Sequence, residues 1–176
     1  EELGAKLQFS ADRITHSGRI ELPSGQLALR ANGGDSAASV ALEAGSLIDL
    51  SGVKKRFFDV AAYAPGGQLR VSSANGSVSI QEGALVDVSA PQGSRAGSIE
   101  IEAANASFIF EGDLRGGALA GERQGRIALD AGRLQDVELL LQKAAAGGFS
   151  EEIALRLRSG DIALVSDPIV ARHIKL

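Results

Sequence analysis

The chain has 176 residues, 44% of them hydrophobic, and a formal net charge of -4. That is enough apolar material to bury one sizeable core, which excludes disorder and points to a single unit over residues 1–176. Cysteine is absent, which excludes disulfides and thiolate metal sites; no run nears the roughly 18 apolar residues of a membrane span, and the dispersed acidic charge lacks the basic face that nucleic acid requires.

The kind of hydrophobicity narrows the fold class. Only 4% of residues are aromatic and Trp and Met are missing, while glycine reaches 22. A core of Val, Leu, Ile and Ala with Gly, Asn and Ser at the corners suits short parallel strands joined by tight turns. The expected fold is therefore all-β, a right-handed parallel β-helix (β-solenoid) with loop or short helical insertions.

Taken in chain order, one phrase recurs: Gly-x-aliphatic-x-aliphatic at Gly18 to Leu22, Gly25 to Leu29, Gly67 to Val71, Gly76 to Ile80, Gly97 to Ile101, Gly125 to Leu129 and Gly160 to Leu164. Each reads as a turn followed by a strand with one apolar and one polar side; Leu69 and Val71 face in, Gln68 and Arg70 out. Ser39 to Ser51 also aligns with Ser77 to Ser89 at an offset of 38, an internal duplication that places Asp49 and Asp87 in equivalent, outward positions. From Gly67 to Gly97 is 30 residues, from Gly97 to Gly125 is 28, and from Gly125 to Ile153 is again 28, which suggests rounds of about three strands.

Two stretches break the rhythm and are expected as insertions leaving the wall, residues 53–66 and 134–149. In the second, Val137 to Leu141 suits either a buried strand or a short helix ended by Gly147 and Gly148. An antiparallel sandwich or barrel is the competing architecture, but hairpin turns are scarce: only Asn75-Gly76 fits well, with Asn32-Gly33 a second turn. The chain opens at Glu1 without Met and stops within the strand-like Ile174-Lys175-Leu176, as expected of a segment cut from a longer protein.

Several phrases together resemble the filamentous haemagglutinin family, large exoproteins exported by two-partner secretion in Gram-negative bacteria. They are Gly76-Ser77-Val78-Ser79-Ile80 leading into Gly83 to Ala90, then Gly97 to Ile101, and Gly148 to Leu164. The resemblance implies a β-helical shaft of a secreted, cell-surface adhesin that attaches to host cells, other bacteria or biofilm matrix. It implies export through an outer-membrane transporter, yet the Asn-Pro motifs of the family's secretion domain are absent. A stalk of a contact-dependent toxin-delivery exoprotein fits the same phrases.

Chemistry is sparse. Stacked carboxylates such as Asp49 and Asp87 suit a polysaccharide-degrading enzyme, although the same pattern serves the wet face of a strand and no third carboxylate repeats the position. His16 and His173 lie near opposite ends of the sequence, Gly33-Gly34-Asp35 occurs once, and no Gly-x-Ser-x-Gly elbow or phosphate loop is present. No enzyme activity, cofactor or metal is expected. The one ligand-binding expectation is Arg56, Phe57, Phe58 and Tyr63, which gather aromatic and basic character into the first insertion, as a sugar-stacking surface does; capping of the wall by the same rings is the bland alternative.

Overall fold

A computed structural model describes residues 4–36, 39–160 and 171–175, with Phe57 described by its backbone alone. The Gly160 phrase therefore lies mostly outside the described residues. The alternating runs form strands β1 (Lys6–Ala11), β2 (Ile14–His16), β3 (Arg19–Glu21), β4 (Gln26–Ala31), β5 (Val40–Leu42), β6 (Leu47–Asp49), β7 (Lys54–Phe57) and β8 (Val60–Tyr63). They continue as β9 (Gln68–Ser73), β10 (Val78–Ile80), β11 (Leu85–Asp87), β12 (Ser98–Phe110), β13 (Asp113–Arg115) and β14 (Arg126–Leu134). Helix α1 (Val137–Ala146), β15 (Glu152–Leu157) and β16 (His173–Lys175) complete the order.

The strands fall into three parallel series that the chain visits in turn. The first runs β1, β4, β9, the start of β12, β14, β15, β16; the second runs β2, β5, β10 and the end of β12. The third, β3, β6, β11 and β13, is a separate sheet. Because β12 spans 13 residues and shifts register between Ala103 and Ser107, it joins the first two series into one bent sheet. The fold is mostly β with largely parallel pairing, and β7–β8 is the antiparallel exception among the described strands.

Register follows the sequence repeat. Val40 pairs with Val78 and Asp49 with Asp87, so the 38-residue duplication is one step between neighbouring strands. Leu7, Leu27, Leu69, Ile99, Ile127, Ile153 and Ile174 form one aligned column. Its later steps are 30, 28 and 26 residues, counted from Leu69 to Ile99, Ile127 and Ile153. The last is two shorter than the glycine spacing suggested, because Gly125 aligns with Glu151, whose N–H donates to the Gly125 carbonyl, and not with Ile153.

Inward residues from all three series make one aliphatic core, with Leu69, Val71, Val78, Val86 and Ile99 almost wholly buried. Each such side chain contributes about 1.5–3 kcal/mol by leaving water. At the corner before the first series the stack leaves no room for a side chain: a Cβ on Gly97 would lie 1.8 Å from the Gly67 carbonyl oxygen. At the next corner, the Asn75 and Asn105 amides donate to the Gly33 and Ala74 carbonyls at 3.0 Å, bridging one round to the one before. Asn75-Gly76 is thus a corner between parallel strands and not a hairpin turn.

The two insertions differ in kind. Residues 54–63 form a hairpin outside both parallel sheets, whereas α1 does not leave the wall. Asp136 caps its start by accepting from the Leu139 N–H at 2.9 Å, and Leu140, Leu141 and Ala144 are buried against the core. The helix ends at Gly147, where a Cβ would meet the Leu114 carbonyl oxygen at 2.2 Å; only glycine lets the chain approach β13 this closely.

Candidate binding surface

The hairpin is rooted between Gly52 and Gly66 and closed by the Ala64 N–H, which donates to the Val53 carbonyl at 2.8 Å. Cross-strand pairing of Lys54 with Tyr63 and Arg56 with Ala61 puts Lys54, Arg56 and Tyr63 on one side. Lys54 Nζ stands over the Tyr63 ring at 5.5 Å from its centroid, a cation–π contact, and the ring also lies against Gly93. The Tyr63 face is therefore partly occupied. Phe58 instead occupies the two-residue turn, fully exposed and at φ 56, a left-handed conformation uncommon for a bulky side chain. Of the four residues singled out from the sequence, Arg56 and Tyr63 share a side, Phe58 forms the tip, and the Phe57 side chain lies outside the described atoms.

Asp49 and Asp87 flank the inward Ile48 and Val86 on the outer side of the third sheet. Each accepts a hydrogen bond at 2.9 Å from the backbone two residues on, Ser51 N–H and Ser89 N–H, so both carboxylates brace the corner that follows. Contrary to the sequence expectation, a third carboxylate repeats the position: Glu21 pairs in register with Asp49, and the row continues through Asp87 to Arg115. Glu21 is held by Arg19, and Arg115 lies 3.8 Å from Asp87. His16 belongs to the second series and hydrogen-bonds the Leu47 carbonyl, while His173 sits in the last strand of the first. Among the described residues, no group of three or more His, Asp and Glu is placed to hold a metal ion.

The outer side of the first series carries ion pairs between adjacent strands. Arg70 meets Glu100 at 2.9 Å, Glu152 meets Arg126 at 3.0 Å and Lys175 at 2.9 Å, and Arg158 grips Asp130 through both oxygens at 2.7 and 2.9 Å. The Arg158 hydrogen bonds, helped by the charges of Arg158 and Arg156, hold the Asp130 carboxyl below its ordinary value despite partial desolvation. Lys175, foremost through its hydrogen bond, lowers Glu152 likewise, with Arg126 adding to the effect.

Among the described residues, the segments that break the parallel pairing each lie just before the chain returns to the first series. The hairpin comes first, then the loop carrying Pro91 and Gly93, then residues 116–124, then α1. The Ala90–Ala118 bridge links the two loops, and Tyr63 links the hairpin to the first of them. An open groove between the second loop and α1 escaped the sequence reading, because it is assembled from segments that are separately unremarkable. Its one sequence signal is Leu119, a lone large apolar residue in a glycine- and alanine-rich loop. No protein-family model, curated protein or solved structure matches the chain. No helix among the described residues is long and apolar enough to cross a membrane.

Proposed function

We propose that the chain is a right-handed parallel β-helix serving as a non-enzymatic shaft segment of a secreted bacterial surface adhesin. In this reading the full-length protein leaves the cell through an outer-membrane transporter, and the shaft holds contact elements away from the surface to engage glycans or receptors on host cells, other bacteria or biofilm matrix. The observation that carries it is a stack of parallel strands with one continuous aliphatic column from Leu7 to Ile174, from which a hairpin projects with Phe58 at its tip. The filamentous haemagglutinin-like phrases supply the cellular context. A toxin-delivery stalk would use the same shaft.

A second reading, a polysaccharide-degrading β-helical enzyme, is favoured by the Glu21, Asp49 and Asp87 row. The two separate in a binding and turnover screen against bacterial exopolysaccharides and host glycans. The expected result is binding without cleavage, unchanged in an Asp49→Ala/Asp87→Ala variant and weakened when residues 54–63 are replaced by a short Gly-Asn turn. Cleavage that disappears in the double variant would replace the adhesin reading with the enzyme.

A further inference from the structure

The third sheet ends at β13, and where its next strand would lie the chain supplies α1. The replacement leaves an open groove of about 600 Å³ between β13, the 116–124 loop and the end of α1. Ser89, Pro91, Asp113, Arg115, Leu119 and Lys143 line it. We propose that this groove binds an uncharged oligosaccharide.

Charge comes first. Lys143 Nζ lies 2.6 Å from Asp113, and Arg115 lies 3.8 Å from Asp87, so each cation brings its own carboxylate. The lining itself holds Arg115, Lys143 and Asp113, and Asp87 just behind it balances the second cation, so hydrogen-bond donors stand beside acceptors. A sugar hydroxyl donates and accepts at once, and adjacent hydroxyls satisfy such a pair without breaking it. An anionic ligand would have to compete with Asp113 for Lys143. It would also meet the carbonyl end of α1, since Ala146 and Gly147 line the same groove and a helix C-terminus carries partial negative charge.

Shape and apolar surface agree. The volume is within the range of small-ligand sites, which combine apolar walls with a few placed polar groups. Leu119 is 50% exposed and, with Pro91 and Leu85, offers an apolar wall for the C–H face of a sugar ring.

The groove is also built in advance. The Gln124 side chain closes the loop that presents Leu119, accepting from the Ala118 N–H at 2.9 Å and donating to the Ala118, Leu119 and Glu122 carbonyls. On the other wall, the Gly116 N–H donates to the Gly147 carbonyl at 2.7 Å, tying the end of α1 to β13. A loop held this way loses little freedom on binding, which favours affinity.

The experiment titrates the 176-residue chain with three hexasaccharides: a neutral β-1,4-glucan, a neutral β-1,4-linked N-acetylated amino sugar, and an acidic oligouronate. Binding is read by calorimetry and by NMR shifts of the Leu119 methyls. At least one neutral hexamer should move those methyls and bind at least tenfold more weakly to Arg115→Ala and to Leu119→Ser, both substitutions at exposed positions. An Arg30→Ala variant, exposed on the outer side of β4 and away from the groove, should bind it unchanged. Silence of the Leu119 methyls toward both neutral hexamers, a response to the oligouronate alone, or binding that depends on residues 54–63 and not on Arg115 would each overturn the assignment. The last outcome would leave the adhesin proposal standing; cleavage of a groove-bound hexamer would end that proposal and leave the groove assigned.

Discussion

Asp130 shows how single residues hold neighbouring strands of the wall together. Arg158 meets both its oxygens from the adjacent strand β15–loop junction, and Arg156 adds a second cation 3.8 Å away. Glu152 repeats the arrangement between Arg126 and Lys175. Both carboxyls are held below their ordinary values of 3.8 and 4.5, so the folded chain gives up these protons more readily than the unfolded one. Their stabilisation is complete above the ordinary carboxylate values and is lost as pH falls through the lowered ones. The melting temperature should therefore drop on acidification from about pH 6 to about pH 3, and Asp130→Asn should flatten that drop while lowering the value at neutral pH. An acid limb of unchanged slope in Asp130→Asn would mean that the pair contributes nothing to folding, as many exposed ion pairs do.

At the level of elements, α1 is the feature on which sequence and structure had most to settle. It is held to the core by Leu140, Leu141 and Ala144 and started by the Asp136 cap. Leu140 is 1% exposed, so Leu140→Ala should cost about 2–5 kcal/mol in urea denaturation, whereas Asp136→Ala should cost about 1 kcal/mol. Equal, small losses would show that α1 is an ornament and not the closure of the third sheet. The apolar run of Val137 to Leu141 suits a strand by composition; the Asp136 cap and the glycine stop at Gly147 decided for the helix. Elsewhere the strands were legible because alternation and glycine corners are local signals. Which series each strand joins was not. The same Gly-x-aliphatic-x-aliphatic phrase fills the first series at Gly67, the second at Gly76 and the third at Gly18. Glu21 was overlooked for that reason: its phrase gives no hint that it aligns with Asp49. The hairpin was legible as an interruption, but the strained turn at Phe58 and the Lys54 contact with Tyr63 depend on pairing that composition does not encode.

On the scale of the whole molecule, a parallel stack carries its cohesion along one axis, and the outermost strands decide how it meets other chains. Strand β1 pairs only with β4, and β16 only with β15, among the described strands. Leu7 and Phe9 align with the buried Leu27 and Leu29 yet are 37% and 44% exposed, and Ile174, aligned with Ile153, is 43% exposed. Among the described residues, the β1 edge thus presents Leu7 and Phe9 and the β16 edge presents Ile174, each on a strand with one paired side, the combination that templates pairing with another chain. For this 176-residue chain, sedimentation velocity should show association that grows with concentration. Phe9→Lys places a charge in the column and forgoes about 1.5–3 kcal/mol of burial, enough to weaken association roughly 10- to 100-fold. The Ile174→Lys variant then distinguishes two geometries. If the stack continues head to tail, β16 of one copy pairs with β1 of the next and both substitutions weaken association alike. If two β1 edges meet, only Phe9→Lys acts, and the product stops at a dimer because a two-fold contact consumes both edges. A chain that stays monomeric at every concentration would show that Leu7, Phe9 and Ile174 do not make the ends adhesive.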